Sequence, residues 1–339
     1  MKISGTISSK RSRRRLTGKF LALVAFALII SFWRITTGEW EIPFECVIHF
    51  LSANLDESER ILPQALVIRN VRLPRLICSF GTGGLLSVSG VILQGLLANP
   101  MAEPYTLGIA AGAAFGASLG IIFGNGNFLV MPCAFAGAVF ALIFTGIIAL
   151  RGGNFSNSKI ILAGIISNSI LSAGVTLLKS ISGEKIGSIV LWLMGSFSGA
   201  GVREIFYVAF AVVITIFPAI ILSSQLDAMS LGNNRGAILG VNENLVRIIL
   251  LVTNSLGVAV IVSSFGLIGF VGLIIPHVMR ILVGASHLRL IIFAFMSGAC
   301  LLSFADGVAQ SIGELPVGVL TALLGGIFFC WLLARNNNA

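Results

Sequence analysis

Stretches of about 20 residues with scarcely a charge recur along the chain, separated by short polar breaks or by glycine and proline. A helix of that length rises about 30 Å, the thickness of a bilayer's hydrocarbon. The pattern predicts ten such helices, over 20–36, 67–97, 104–124, 128–150, 159–180, 203–223, 245–264, 266–284, 289–308 and 316–334. Over 245–284 a second reading stands beside this one, a long bent helix followed by a re-entrant turn. Barrel strands would alternate polar and apolar positions over about ten residues, and these runs do not. The expected fold is an all-α integral membrane bundle, one transmembrane domain over 20–335 behind a basic arm over 1–19.

Composition agrees with that class. The chain is 56% hydrophobic and 10% charged, whereas a soluble domain carries about 25% charged residues. Lys10, Arg11, Arg13, Arg14, Arg15 and Lys19 precede the first span as in a secretory signal. Phe32-Trp33-Arg34 stands where small residues would have to mark a cleavage site, so this helix is expected to stay, with its N-terminus in the cytoplasm. An even number of spans returns the C-terminus to the same side. Arg151, Lys159, Arg235, Arg247, Arg280, Arg289 and Arg335 then join the arm on the inside, as the positive-inside rule expects. The outer loop over 38–66 is acidic, with Glu39, Glu41, Glu45, Asp56, Glu57 and Glu59. The net charge of +9 therefore reflects topology and anchoring to membrane lipid, and no nucleic acid is implied.

The breaks divide into two kinds. Gly108, Gly112, Gly116 and Gly120 repeat every four residues and read as a close-packing seam. Ser89-Gly90, Asn99-Pro100 and Pro104 in one half answer Gly266 to Gly272 and Pro276-His277 in the other, an interruption pattern typical of two repeats inverted in the membrane. The longest cytoplasmic connection, 224–244, mixes apolar and polar residues and reads as a short amphipathic element lying on a partner.

The second span opens on an arginine-rich head, Arg69 to Arg75, although it lies on the outer side. A guanidinium costs about 2.5 to 3.5 kcal/mol at mid-bilayer, so these groups belong at a water boundary. Arg72 and Arg75 share a helical face, and Pro74 suits a first turn. Their expected work is bidentate contact with carboxylates of a soluble partner. The alternative is that they snorkel to lipid phosphate or pair with Glu57 and Glu59.

Little else suggests chemistry. No G-x-x-x-x-G-K-[ST] loop is present, so nucleotide energy has to come from another chain. Glu103, Asp306 and Glu314 are far apart in sequence and read as unpaired, which leaves a membrane enzyme without converging acids and bases. A proton-coupled carrier would have Asp306 as its candidate; that residue is read instead as a helix-end carboxylate near the outer interface, pairing with an arginine. Cys46, Cys78, Cys133, Cys300 and Cys330 lack paired spacing and three histidines are too few for a metal cage, so no metal or other cofactor is expected in the chain. The uncharged walls suit a bulky solute that is handed over rather than held by charge.

Several motifs, in order, resemble one family: Arg72-Leu73-Pro74-Arg75, Ser89-Gly90 with Gln94, Asn99-Pro100-Met101-Ala102-Glu103-Pro104 leading to Leu107-Gly108, Leu191-Trp192-Leu193-Met194-Gly195-Ser196, Gly269-Phe270-Val271-Gly272 through Pro276-His277 with Arg280, and Leu315-Pro316-Val317-Gly318-Val319 with Gly325. From about residue 20 to 335 the chain is similar to the iron-chelate and cobalamin permeases of binding-protein-dependent ABC importers. The resemblance implies a type II importer permease in the cell inner membrane. It implies a second permease copy, two cytoplasmic ATPase subunits that bind ATP and Mg, and a periplasmic or surface-anchored substrate-binding protein. The cargo it implies is a siderophore or haem, with cobalamin as runner-up. It assigns docking to Arg72 and Arg75 and to Gln310, which stands where relatives carry a further arginine. It assigns a cytoplasmic gate to Asn157 and Ser158, and ATPase coupling to Leu231, Gly232, Asn233, Asn234, Arg235, Gly236, Leu239 and Gly240.

Overall fold

The apolar runs fold as helices, and the breaks between them are where the backbone turns left-handed or extended. The computed structural model describes residues 3–38, 42–51, 63–124, 127–150, 156–230 and 238–336. Its helices are α1 (Ile3–Thr36), α2 (Phe44–Leu51), α3 (Pro63–Leu97), α4 (Ile109–Phe123), α5 (Val130–Leu150), α6 (Asn157–Ile181), α7 (Ile186–Leu193), α8 (Val202–Ile221), α9 (Ser223–Met229), α10 (Glu243–Phe265), α11 (Val271–Val283), α12 (His287–Ser311) and α13 (Val317–Asn336). Seven of these, α1, α3, α5, α6, α8, α10 and α12, are long and apolar enough to cross a bilayer, and α4, α11 and α13 are shorter apolar helices. Together they occupy the ten predicted places.

Three local departures matter. First, α4 and α11 have 15 and 13 residues, each starting five residues later than the hydropathy pattern predicts. Gly108 (φ 78°) precedes α4, while Gly266 (φ 75°) and Phe270 (φ 68°) precede α11. Left-handed residues cannot continue an α-helix, so 245–284 is two helices with a break between them, not one bent helix. Second, α7 forms where no helix was predicted. Third, α3 starts at Pro63, so Pro74 lies inside a continuous rod rather than in a first turn. Pro74 has no N–H to give, and the helix widens to one π turn over Ile68–Arg72 immediately before it.

α3 is the axis of the bundle, packed against α8, α10, α11 and α12. Its contacts are backbone-close: a Cβ on Gly90 would stand 1.7 Å from the Gly272 carbonyl oxygen, so no larger residue fits there. The α4–α5 seam works as predicted, with Gly112 facing the Gly137 carbonyl and Gly116 that of Cys133. α3 ends where Ala98 turns left-handed and Asn99 donates its N–H back to the Gln94 carbonyl at 3.3 Å.

Candidate functional site

The π turn and the first turns that follow it aim two guanidinium groups into the end of the bundle. Arg75 donates from Nε to Asp306 Oδ2 at 2.9 Å and from Nη2 to Oδ1 at 3.0 Å. Its Nη1 spans both oxygens of Glu314, at 2.9 and 2.8 Å. Arg34, near the end of α1, also binds Asp306 and donates to Gln310 Oε1 at 2.6 Å. Arg72 donates to the carbonyl of Ile35. Gly38 lies between Arg72 and Gln310, since a Cβ there would be 3.1 Å from Arg72 Nη2 and 3.6 Å from Gln310 Nε2. The three predicted docking residues are thus neighbours.

They are not laid open to solvent as predicted. Arg72 and Arg75 are 7% and 5% exposed, and Arg75 is held by carboxylates of its own chain. Two charges at this depth need partners, because lipid and core offer none. Asp306 lies in α12, five residues before its end, fully buried and shared by two arginines. The predicted arginine pairing near the end of the helix is present, with two arginines rather than one. Asp306 and Glu314, read from the sequence as too far apart to act together, converge on one guanidinium. Glu314 is the member that water reaches, its side chain 31% exposed, on a left-handed residue (φ 56°) next to Gly313 (φ 98°). Glu57 and Glu59, the alternative partners, lie outside the described residues. Arg34 was missed because it reads as the end of an apolar span; its signal was a charge one turn inside that end.

Deeper in the bundle the two interrupted segments meet. The Tyr105 hydroxyl donates to the Ile268 carbonyl at 2.9 Å and accepts from the Ile268 N–H at 3.0 Å, so one side chain joins the break after α3 to the break before α11. Gly195 and Gly266 approach the Leu267 and Trp192 carbonyls. Around this joint is a cavity of about 590 Å³, bordered by Glu103, Tyr105, Met194, Phe270 and Leu323. Glu103 is the one acidic side chain that borders it among the described residues.

At the opposite end, Ser156 is the N-cap residue of α6, extended at φ −109°, but its side chain makes no capping bond. Asn157 and Ser158 open the helix, half-buried and exposed. From Ser158 onward the uncovered face of α6 carries Ser169, Ser172, Thr176 and Ser180 among apolar residues. Ser169 and Thr176 bend their hydroxyls back to the Ile165 and Ser172 carbonyls. α9 is tied to the bundle by Asp227, whose Oδ1 accepts from the His287 N–H at 2.8 Å and lies 2.6 Å from His287 Nδ1. Of the coupling residues, Leu231, Gly232, Asn233, Asn234, Arg235 and Gly236 lie outside the described residues. Leu239 is exposed and Gly240 is left-handed.

Comparison with known proteins agrees with this architecture. The profile of the FecCD transport family matches residues 23–335. An iron chelatin transport system permease of Helicobacter pylori is 33% identical over 325 residues, 93% of this chain and 97% of the relative. The hemin transport system permease of Yersinia pestis is 37% identical over 279 residues, 79% of this chain and 83% of the relative. A solved structure of an inward-facing metal-chelate type ABC transporter superposes with a TM-score of 0.81 at 31% identity, over 94% of this chain and 99% of that one. The motifs in order, the broken helices joined at mid-bundle and the match from end to end have one meaning: the chain belongs to the FecCD transport family, the permeases of ABC importers.

Proposed function

We propose that this permease carries an iron chelate, a siderophore or haem, inward across the cell inner membrane, with both termini in the cytoplasm. Two copies would enclose the path, and ATP would be hydrolysed by two partner subunits on the cytoplasmic side. The observation that carries this reading is the uncovered face of α6. Hydroxyl side chains repeat along a membrane-length helix where a lipid-facing surface would be apolar throughout, so that face belongs against water, cargo or a second copy. The names of the Helicobacter and Yersinia relatives point to iron-bearing cargo.

The parts take roles from their positions. A substrate-binding protein docks at the arginine end, where an incoming carboxylate exchanges with Glu314, the water-reached ligand of Arg75, and hydrogen-bonds Gln310. Asn157 and Ser158 narrow the path at the other end. The segment from Leu231 to Gly240 rests on the ATPase, and Asp227 with His287 passes its movement to α12.

The test is reconstitution in vesicles with a candidate ATPase subunit and a candidate substrate-binding protein. ATP-dependent accumulation of haem or a ferric siderophore is expected, falling more than about tenfold with Arg75→Glu while ATP hydrolysis without binding protein is kept. Accumulation by the permease alone on a pH gradient would overturn the reading.

A further inference from the structure

The arginine end carries a second polar feature, on the side that faces lipid. α8 exposes Phe206, Phe210, Val213 and Phe217 in a row, a surface fit for acyl chains and nothing wetter. Where α8 and α5 begin and α10 ends, this surface dips into a groove of about 620 Å³, within the range of small-ligand sites. Its floor is apolar, made by Phe128, Met131, Phe135 and Phe210. Its edge is charged, made by Arg203 and Glu204 in the first turn of α8.

Both charged groups are held in place without being used up. Arg203 donates from Nε to the Tyr207 hydroxyl at 2.5 Å, and its guanidinium lies 5.3 Å from the centre of that ring. No hydrogen bond among the described residues takes its Nη nitrogens. Glu204 accepts the Gly201 N–H on Oε2 at 2.9 Å, which fixes the carboxylate, and no donor among the described residues takes its Oε1. A guanidinium and a carboxylate oxygen therefore border one apolar-floored groove, at the end where α8 begins.

We propose that this groove binds a phospholipid whose headgroup has both a phosphodiester and a primary ammonium, the phosphatidylethanolamine class. The phosphate would take the Nη nitrogens of Arg203, which suit it bidentately. The ammonium would donate to Glu204 Oε1, and an acyl chain would lie along Phe210 and Phe135. The pairing of charges is what selects the headgroup. A phosphatidylglycerol brings no cation for Glu204, and the quaternary ammonium of phosphatidylcholine has no N–H to donate.

The full chain, purified in detergent, can be exposed to vesicles of equal parts phosphatidylethanolamine, phosphatidylglycerol and phosphatidylcholine, and the retained lipid counted by native mass spectrometry. The ethanolamine lipid should be kept more than about tenfold over either of the others, the worth of one charge-assisted hydrogen bond. Glu204→Gln retains an oxygen for Gly201 and should bring that ratio over phosphatidylglycerol to about one. Arg203→Gln should release all three lipids, with an unchanged melting midpoint as the check on folding. Equal retention of the three lipids by the unaltered chain would overturn the proposal, as would a preference that survives Glu204→Gln. Disulfide cross-linking of Phe128→Cys to a second copy would overturn it too, by making the groove a subunit contact.

Discussion

α3 and α8 lie against each other, and a Cβ on Gly81 of α3 would strike Val208 of α8, yet the two helices are built in opposite senses. In its most apolar stretch α3 is 83% buried and α8 22%. α3 brings Thr82, Ser87, Ser89 and Gln94 into the interior, while α8 turns Ala211, Thr215 and Ala219 inward and its phenylalanines outward. In water the large apolar side chains would be driven inside. Lipid is as apolar as they are and exerts no such drive, so close approach of small residues decides what packs. Hydropathy therefore finds both helices and cannot tell the axis from the periphery. Side-chain size and the placement of hydroxyl groups can.

The sharpest way to break the contrast is to remove the charge partner that lets α3 carry arginine inside. Asp306→Ala strips Arg34 and Arg75 of a shared, fully buried carboxylate, and should lower stability in SDS titration by about 3–5 kcal/mol, the usual loss when one member of a buried ion pair goes. A loss near zero would mean that water already solvates this end.

The next test sets α8 against α6. Val213→Lys, at the middle of the α8 outer face, should cost about 2.5–3.5 kcal/mol of insertion and be read as lost membrane yield. Ser172→Lys, at similar depth on α6, should cost under about 1 kcal/mol, because that face is not presented to hydrocarbon. Equal losses at the two sites would place α6 in lipid and remove the argument for a path beside it.

How far the sequence could be read follows from the same physics. Ten apolar helices were visible because span length is set by the bilayer, and the Gly112 and Gly116 seam because small residues repeat on one face. The start of α11 was not, since the left-handed turn at Phe270 needs the room that Gly325, far along the chain, leaves for its ring. Arg72, Arg75 and Gln310 were found as a group, but the burial of Arg75 was not, because it depends on Asp306 and Glu314, more than 200 residues further along the chain. Tyr105 gave no signal at all; a single tyrosine in a loop acquires its role only when Ile268 is brought beside it.

The smallest effect bears on whether the polar residues of α3 stabilise it. Ser89 is fully buried and its hydroxyl has no hydrogen-bond partner among the described residues. A buried hydroxyl left so contributes nothing and carries its desolvation cost, so Ser89→Ala should be neutral or raise stability by up to about 1 kcal/mol. Phe217→Ala on the α8 periphery should stay within about 0.5 kcal/mol, since lipid replaces the lost contacts. If Ser89→Ala instead lowers stability by more than about 1 kcal/mol, the hydroxyl has a partner, and the α3 axis is held by polar bonds as well as by the fit of its glycines.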